Sequence, residues 1–197
     1  VFAPFMRADG ETHLVFEKRA AAIRQGGEIC FPGGAVESAL GESAGEAAVR
    51  ETVEELGLPH EKVLLAGNLG ILVTPWGSAV DLCYGVLDIS DTAECRPHPG
   101  EVERVFSVPL RFFRETKPEV HLLRHEVRPE YCDEGGRTVR LPWEELGLPE
   151  RYSRPWGLRS YPAWFYRRDG ETIWGMTADL VREILELLDN NSPGNLN

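Results

Sequence analysis

Arg50-Glu51-Thr52-Val53-Glu54-Glu55 sets a base and three acids within one short stretch, downstream of a Pro32-Gly33-Gly34 turn. In a helix, at about 100° per residue, Glu51, Glu54 and Glu55 fall within roughly a 100° arc, while Val49, Val53 and Leu56 take the other side. Like charges three and four residues apart cost a helix a few tenths of a kcal/mol each, so one acidic patch there calls for a cation. Hard carboxylate oxygens suit Mg²⁺ or Mn²⁺, which keep several waters and bridge to phosphates. Ala44 and Ala47 lie on the same face in the preceding turns, which leaves space there for a bulky ligand. The bland alternative is a solvated acidic face, the usual fate of a charge run.

The order of the whole segment favours the cation. Gly-Gly, then Glu42, then Arg50-Glu51-x-x-Glu54-Glu55-x-Gly57-Leu58 resembles the Nudix box, G-x5-E-x7-R-E-U-x-E-E-x-G-U, with U a bulky apolar residue. From Glu42 onward every fixed letter fits. Thr52 stands where the family has an aliphatic residue, and the stretch "AVESALG" makes the Gly34–Glu42 spacing longer than in the pattern. The resemblance implies an α/β/α sandwich with a mixed sheet and a Mg²⁺- or Mn²⁺-dependent diphosphatase. It assigns Glu51 and Glu55 as principal metal ligands, Glu54 as a further ligand or water-orienting base, and the Gly33 carbonyl as another metal contact. Arg50 would orient the glutamates and pair with Glu42, whose own role is structural.

Upstream, "LVFEKRAAAIRQGGEICFPGG" resembles the coenzyme A pyrophosphatase branch of that family, with Arg19-Ala20, Arg24 and Phe31-Pro32-Gly33-Gly34 matching. The branch implies hydrolysis of coenzyme A or acyl-coenzyme A to 3',5'-ADP and (acyl-)4'-phosphopantetheine. Two arginines beside such a site suit a second anionic group, with Arg19, Arg24 and Gly34 binding substrate. Their plainer alternative is pairing with Glu17 or Glu28. Glu101, in "PHPGEVERVFSVPL", sits where such enzymes place a loop carboxylate, and is either the general base or an exposed loop acid. ADP-ribose or a dinucleotide is the alternative substrate, and a non-catalytic nucleotide-binding module the alternative class. The family includes many homodimers, so the resemblance makes a homodimer one expected assembly.

These residues need a scaffold. Leu14-Val15-Phe16 and Ile29-Cys30-Phe31 read as strands, the first preceded by an Asp9-Gly10 hairpin signal. Ser43 as N-cap with Glu46 three residues on forms a capping box, and Gly57 closes the helix. Strands are expected over Val63–Ala66, Leu69–Val73, Val80–Leu87, Val105–Val108 and Thr138–Leu141. A last amphipathic helix is expected over Thr177–Leu188, with Thr177 as N-cap. The expected organisation is one Nudix domain over 1–189, with 117–160 as an elaboration, and a disordered tail over 190–197.

The chain of 197 residues carries a formal charge of -11, which repels polyanions and disfavours nucleic-acid binding. No apolar run approaches the roughly 20 residues of a membrane span. The N-terminus shows no export signal, and a cytoplasmic location is expected, with the missing initiator Met suggesting a trimmed start. Cys30, Cys83, Cys95 and Cys132 lack C-x-x-C spacing and read as reduced thiols, mostly core. Among His13, His60, His98, His121 and His125, only His121 and His125, at i,i+4, have a ligand-like spacing, and with no partner carboxylate pattern both read as surface or core residues. Trp174 reads as packing for the last helix, and Trp76 as core or rim packing with base stacking as the alternative.

Overall fold

A computed structural model describes residues 1–74 and 77–190. Trp76 and most of the expected tail lie outside the described residues. The chain folds into two compact units, residues 1–119 with 164–197, and residues 120–163.

In the first unit, β1 (Phe2–Ala8) and β2 (Glu11–Arg19) form a hairpin with Ala8 opposite Glu11. Asp9 and Gly10 between them have φ of 51° and 78°, the backbone a two-residue turn needs to match strand twist. Next come β3 (Ile29–Cys30), α1 (Ala44–Leu56), β4 (Val63–Val73), β5 (Ala79–Leu87), β6 (Val102–Pro109) and α2 (Leu110–Glu115). They build a six-stranded mixed sheet in the order β3-β2-β1-β5-β4, with β6 pairing β2. β1 and β5 run parallel, and the other pairs are antiparallel.

Alternation along β2 assigns each side chain to a face. Leu14 and Phe16 join Phe113, Leu180, Val181 and Ile184, so α2 and α3 (Gly175–Asn190) cover one face. Val15 joins Phe2, Met6, Ala48, Val49 and Leu56, so α1 covers the other. Phe16 also stacks on Phe31 with ring centroids 4.8 Å apart. Burying each such side chain contributes about 1.5–3 kcal/mol. The first unit is therefore the α/β/α sandwich with a mixed sheet that the sequence implies.

The chain leaves this unit through β7 (Glu119–Val127) and returns by β10 (Trp156–Arg168), whose end pairs with β11 (Glu171–Trp174). Glu171 accepts from Lys18 on β2 at 3.2 Å and from Arg104 on β6 at 2.5 Å, tying β11 to the sheet strands. The second unit contains most of β7 and the hairpin of β8 (Glu130–Cys132) and β9 (Thr138–Arg140). The Asp133 carboxylate closes that hairpin by accepting the amide N–H groups of Gly135 at 3.0 Å and Arg137 at 2.8 Å.

Several expectations are corrected. Val63–Ala66 and Leu69–Val73 are one strand, because register shifts at Leu65/Gly67 and Asn68/Gly70 absorb the irregularity without breaking the pairing. Phe31 lies beyond β3. Thr177 is not an N-cap: it sits buried inside α3, which begins at Gly175, and its hydroxyl donates to the Ile29 carbonyl at 3.1 Å. Trp174 is partly exposed and stacks on Phe165 at 5.4 Å. All four cysteines are free, but only Cys83 and Cys95 are fully buried, whereas Cys132 is exposed. His121 and His125 are exposed on β7, where a separation of four residues spans roughly 13 Å of strand, too far for one metal ion. No helix among the described residues is long and apolar enough to cross a membrane.

Candidate active site

The site is organised around α1. Ser43 caps it as expected: the Ser43 side chain accepts from the Glu46 amide, and the Glu46 carboxylate accepts from the Ser43 amide at 2.9 Å. At the other end Gly57 has φ of 60°, and a Cβ there would overlap the Arg96 carbonyl, so glycine is required. These caps fix where the helix starts and stops, and hence which way each glutamate points.

The three acids do not share one solvent-facing patch. Glu54 is exposed, Glu51 is half-buried, and Glu55 is only 9% exposed. The buried stripe of α1, Ala47, Ala48, Val49, Thr52, Glu55 and Leu56, shows the reason: the sheet reaches further round the helix than the apolar residues alone indicate. Ala47 is buried and Ala44 packs against the same core, so they open no space for a ligand. Thr52 occupies its aliphatic position by donating its hydroxyl to the Ala48 carbonyl at 2.6 Å.

Arg50 gathers the acids. Its guanidinium donates twice to Glu42, at 2.8 and 3.1 Å, and once to Glu51 at 2.8 Å. It lies 3.6 Å from Glu54 and donates to the Ala35 carbonyl at 3.2 Å. This bidentate fork holds the Glu42 carboxyl below its ordinary range, helped by the Glu37 amide, which donates to Glu42 at 2.7 Å. Arg50 is held charged in return. The longer stretch before Glu42 is taken up by a 3-10 turn, Ser38–Leu40, with Gly41 in a left-handed conformation.

The Gly-Gly turn meets this helix directly. The Gly33 amide donates to Glu55 at 2.8 Å, and a Cβ on Gly34 would overlap the Glu51 carboxylate. Gly33 thus meets the helix through its N–H, whereas the resemblance points to its carbonyl. Burial pushes the Glu55 carboxyl up to about 7, opposed by the Gly33 hydrogen bond and reinforced by the charge of Glu51. Arg19 and Glu101 also act on Glu55, with opposite sign. Both therefore act on Glu55 from the strand and loop side of the helix. Glu101 is exposed, and its carbonyl accepts from the Ala20 amide at 2.8 Å. Arg19 is not paired with Glu17 or Glu28 through its side chain: its Nε donates to the Arg24 carbonyl at 3.2 Å, and Arg24 itself is exposed.

One residue escaped sequence reasoning as a site group. Glu17, on β2, is 1% exposed; its Oε1 accepts from the Cys30 thiol at 3.3 Å and its Oε2 has no partner. Burial, then the charge of Glu55, pushes its carboxyl up to about 8. The available signal was strand parity, since Val15, Glu17 and Arg19 share the face that α1 covers. Among the described residues, no three His, Cys, Asp or Glu side chains are grouped as a ready-made metal cage. The donor set nonetheless fits a hard cation: the Glu51 and Glu55 carboxylates meet the Gly33-Gly34 backbone with no side chain in the way, and the buried Oε2 of Glu17 has no partner.

Known proteins resemble the chain accordingly. The NUDIX domain model matches residues 1–129. Peroxisomal coenzyme A diphosphatase NUDT7 of Mus musculus is 33% identical over 57% of this chain and 47% of its own length. Nudix hydrolase 15, mitochondrial, of Arabidopsis thaliana is 32% identical over 88% of this chain and 52% of its own. Uncharacterized Nudix hydrolase NudL of Escherichia coli (strain K12) is 27% identical over 93% of this chain and 79% of its own. The chain thus spans about half the length of the mouse and plant relatives. With the family model covering well over half of its residues and the box glutamates gathered on α1, the chain belongs to the Nudix family.

Proposed function

We propose that the chain is a diphosphatase that uses Mg²⁺ or Mn²⁺ to hydrolyse a nucleoside diphosphate derivative, with coenzyme A or acyl-coenzyme A as the leading substrate. One observation carries this reading: Glu51 and Glu55 reach from α1 to Gly34 and Gly33, so acid and close-approaching backbone share one place. Glu51, Glu55 and Glu54 would hold the ion, which supplies charge neutralisation for the diphosphate and a more acidic bound water. Arg50 restrains Glu51 and Glu54 in position, so their orientation does not have to be found at the moment of reaction. Glu101, exposed and within the field of Glu55, or Glu54, takes the proton from the attacking water. Arg19 and Arg24 offer the positive charge for a second anionic group such as the 3'-phosphate of coenzyme A.

Support for the coenzyme A assignment is the pair of arginines before Phe31-Pro32-Gly33-Gly34 and the likeness to the mouse enzyme over 57% of this chain. Hydrolysis of a panel of coenzyme A, acyl-coenzyme A, ADP-ribose and dinucleotides with Mg²⁺ tests it. Coenzyme A turnover is expected to lead; ADP-ribose turnover far above it overturns the substrate assignment. Glu55→Gln is expected to lower kcat by about a hundredfold or more. Unchanged turnover in Glu54→Gln and Glu55→Gln together would remove the site itself.

A further inference from the structure

Glu17 is a buried acid left half-satisfied. Strand parity turns it under α1 beside Val15, and pairing opposite Cys30 across β2 and β3 gives one of its oxygens a thiol donor at 3.3 Å. The other oxygen, Oε2, is buried and without a hydrogen-bond partner. Buried carboxylates are costly unless paired, hydrogen-bonded or bound to an ion. Cys30, the strand partner of Glu17, lies three residues before Gly33, whose amide donates to Glu55 at 2.8 Å, so the strand end and the helix acid come together at the same turn. Arg50 does not relieve Glu17 and Glu55, since its guanidinium is taken by Glu42, Glu51 and Ala35. A cation placed between strand and helix satisfies both acids at once.

We propose that Glu17 is a further ligand of the divalent cation, presenting Oε2 from β2 to the ion that Glu51 and Glu55 hold from α1. This rests on the reading of the box as a cation site. Cys30 occupies Oε1, which leaves Oε2 as the oxygen available. The site is therefore assembled from two elements far apart in sequence, and the sheet contributes a ligand as well as the helix.

The test is calorimetric titration of the metal-free chain with MnCl₂, alongside thermal unfolding with and without Mn²⁺. Glu17→Gln is expected to weaken Mn²⁺ binding by about tenfold or more and to shrink the Mn²⁺-induced rise in Tm. In metal-free buffer the same variant is expected to be at least as heat-stable as the parent, because it removes a buried carboxyl oxygen that has no partner. A structural acid gives the reverse pattern, lower metal-free Tm with unchanged Mn²⁺ affinity, and that result overturns the proposal. Glu17→Leu, an apolar filler of the same site, is the second variant should Glu17→Gln fail to fold, and parent-like Mn²⁺ affinity in it overturns the proposal equally. Glu51→Gln separates the two readings: weakened binding there with parent-like Glu17→Gln removes only the Glu17 ligand. Absence of Mn²⁺ binding by the parent removes both.

Discussion

Arg50 shows how much a single planar cation can organise. Its fork satisfies both oxygens of Glu42 and one of Glu51, and lies 3.6 Å from Glu54. Lysine keeps the charge but loses the bidentate geometry. Arg50→Lys is therefore expected to raise the Glu42 carboxyl pKa towards its ordinary range, followed by NMR titration, and to lower turnover about tenfold or more through looser glutamates. The pairing with Glu42 was legible because both letters belong to one local motif. Glu17 was not, since its burial depends on α1 lying over β2, a contact that no local pattern encodes. Glu55 falls between: its position on the helix was plain, but its burial and its Gly33 donor emerge only when the Gly-Gly turn is brought alongside.

Elements supply the orientation. The capping box and the glycine stop were readable because caps are set by residues within one turn of the helix end. Ser43→Ala is expected to lose about 1 kcal/mol, read as a lower urea midpoint at constant slope. Gly57→Ala is expected to lose at least about 1–3 kcal/mol, since it adds left-handed strain to a collision with the Arg96 carbonyl. A second tie closes the turn after α1. Glu94 accepts from Lys62 at 2.6 Å and from the Ser90 amide at 2.8 Å, and these partners, Lys62 foremost, hold its carboxyl at about 2. The folded chain thus binds this proton less readily than the unfolded one. Its contribution is full above about pH 4.5 and is lost as pH falls through about 2. Glu94→Gln is expected to flatten that part of the acid-unfolding curve. The short α2 and the early start of α3 were missed because tertiary packing sets them: Phe113 is buried in the same cluster as the α3 residues Leu180 and Ile184, and Thr177 is held by the Ile29 carbonyl.

Across the whole molecule, the α/β/α order of the first unit follows from one strand feeding two cores, Leu14 and Phe16 on one face and Val15 on the other. That much could be inferred from alternation and the family likeness. Residues 120–163 resisted, because β7 is almost wholly exposed and shows no buried stripe from which to infer pairing. The formal charge of -11 acts on all of it. Raising ionic strength from about 0.01 M to about 0.15 M shortens the screening length from about 30 Å to about 8 Å. Net self-repulsion weakens, so Tm measured without divalent ions is expected to rise over that range; a falling Tm would mean that the surface ion pairs outweigh the excess acid.

The stretch between Gly34 and Glu42 ends on a carboxylate that receives the Glu37 amide from its own loop and the Arg50 guanidinium from the helix. Such an anchor separates loop length from helix phase. Residues added to or taken from the loop are expected to be absorbed by the 3-10 turn, while the angular phase of the glutamates on α1 is kept by the box and its caps. A one- or two-residue deletion between Gly34 and Glu42 is thus expected to leave the alignment of the acids on α1 intact.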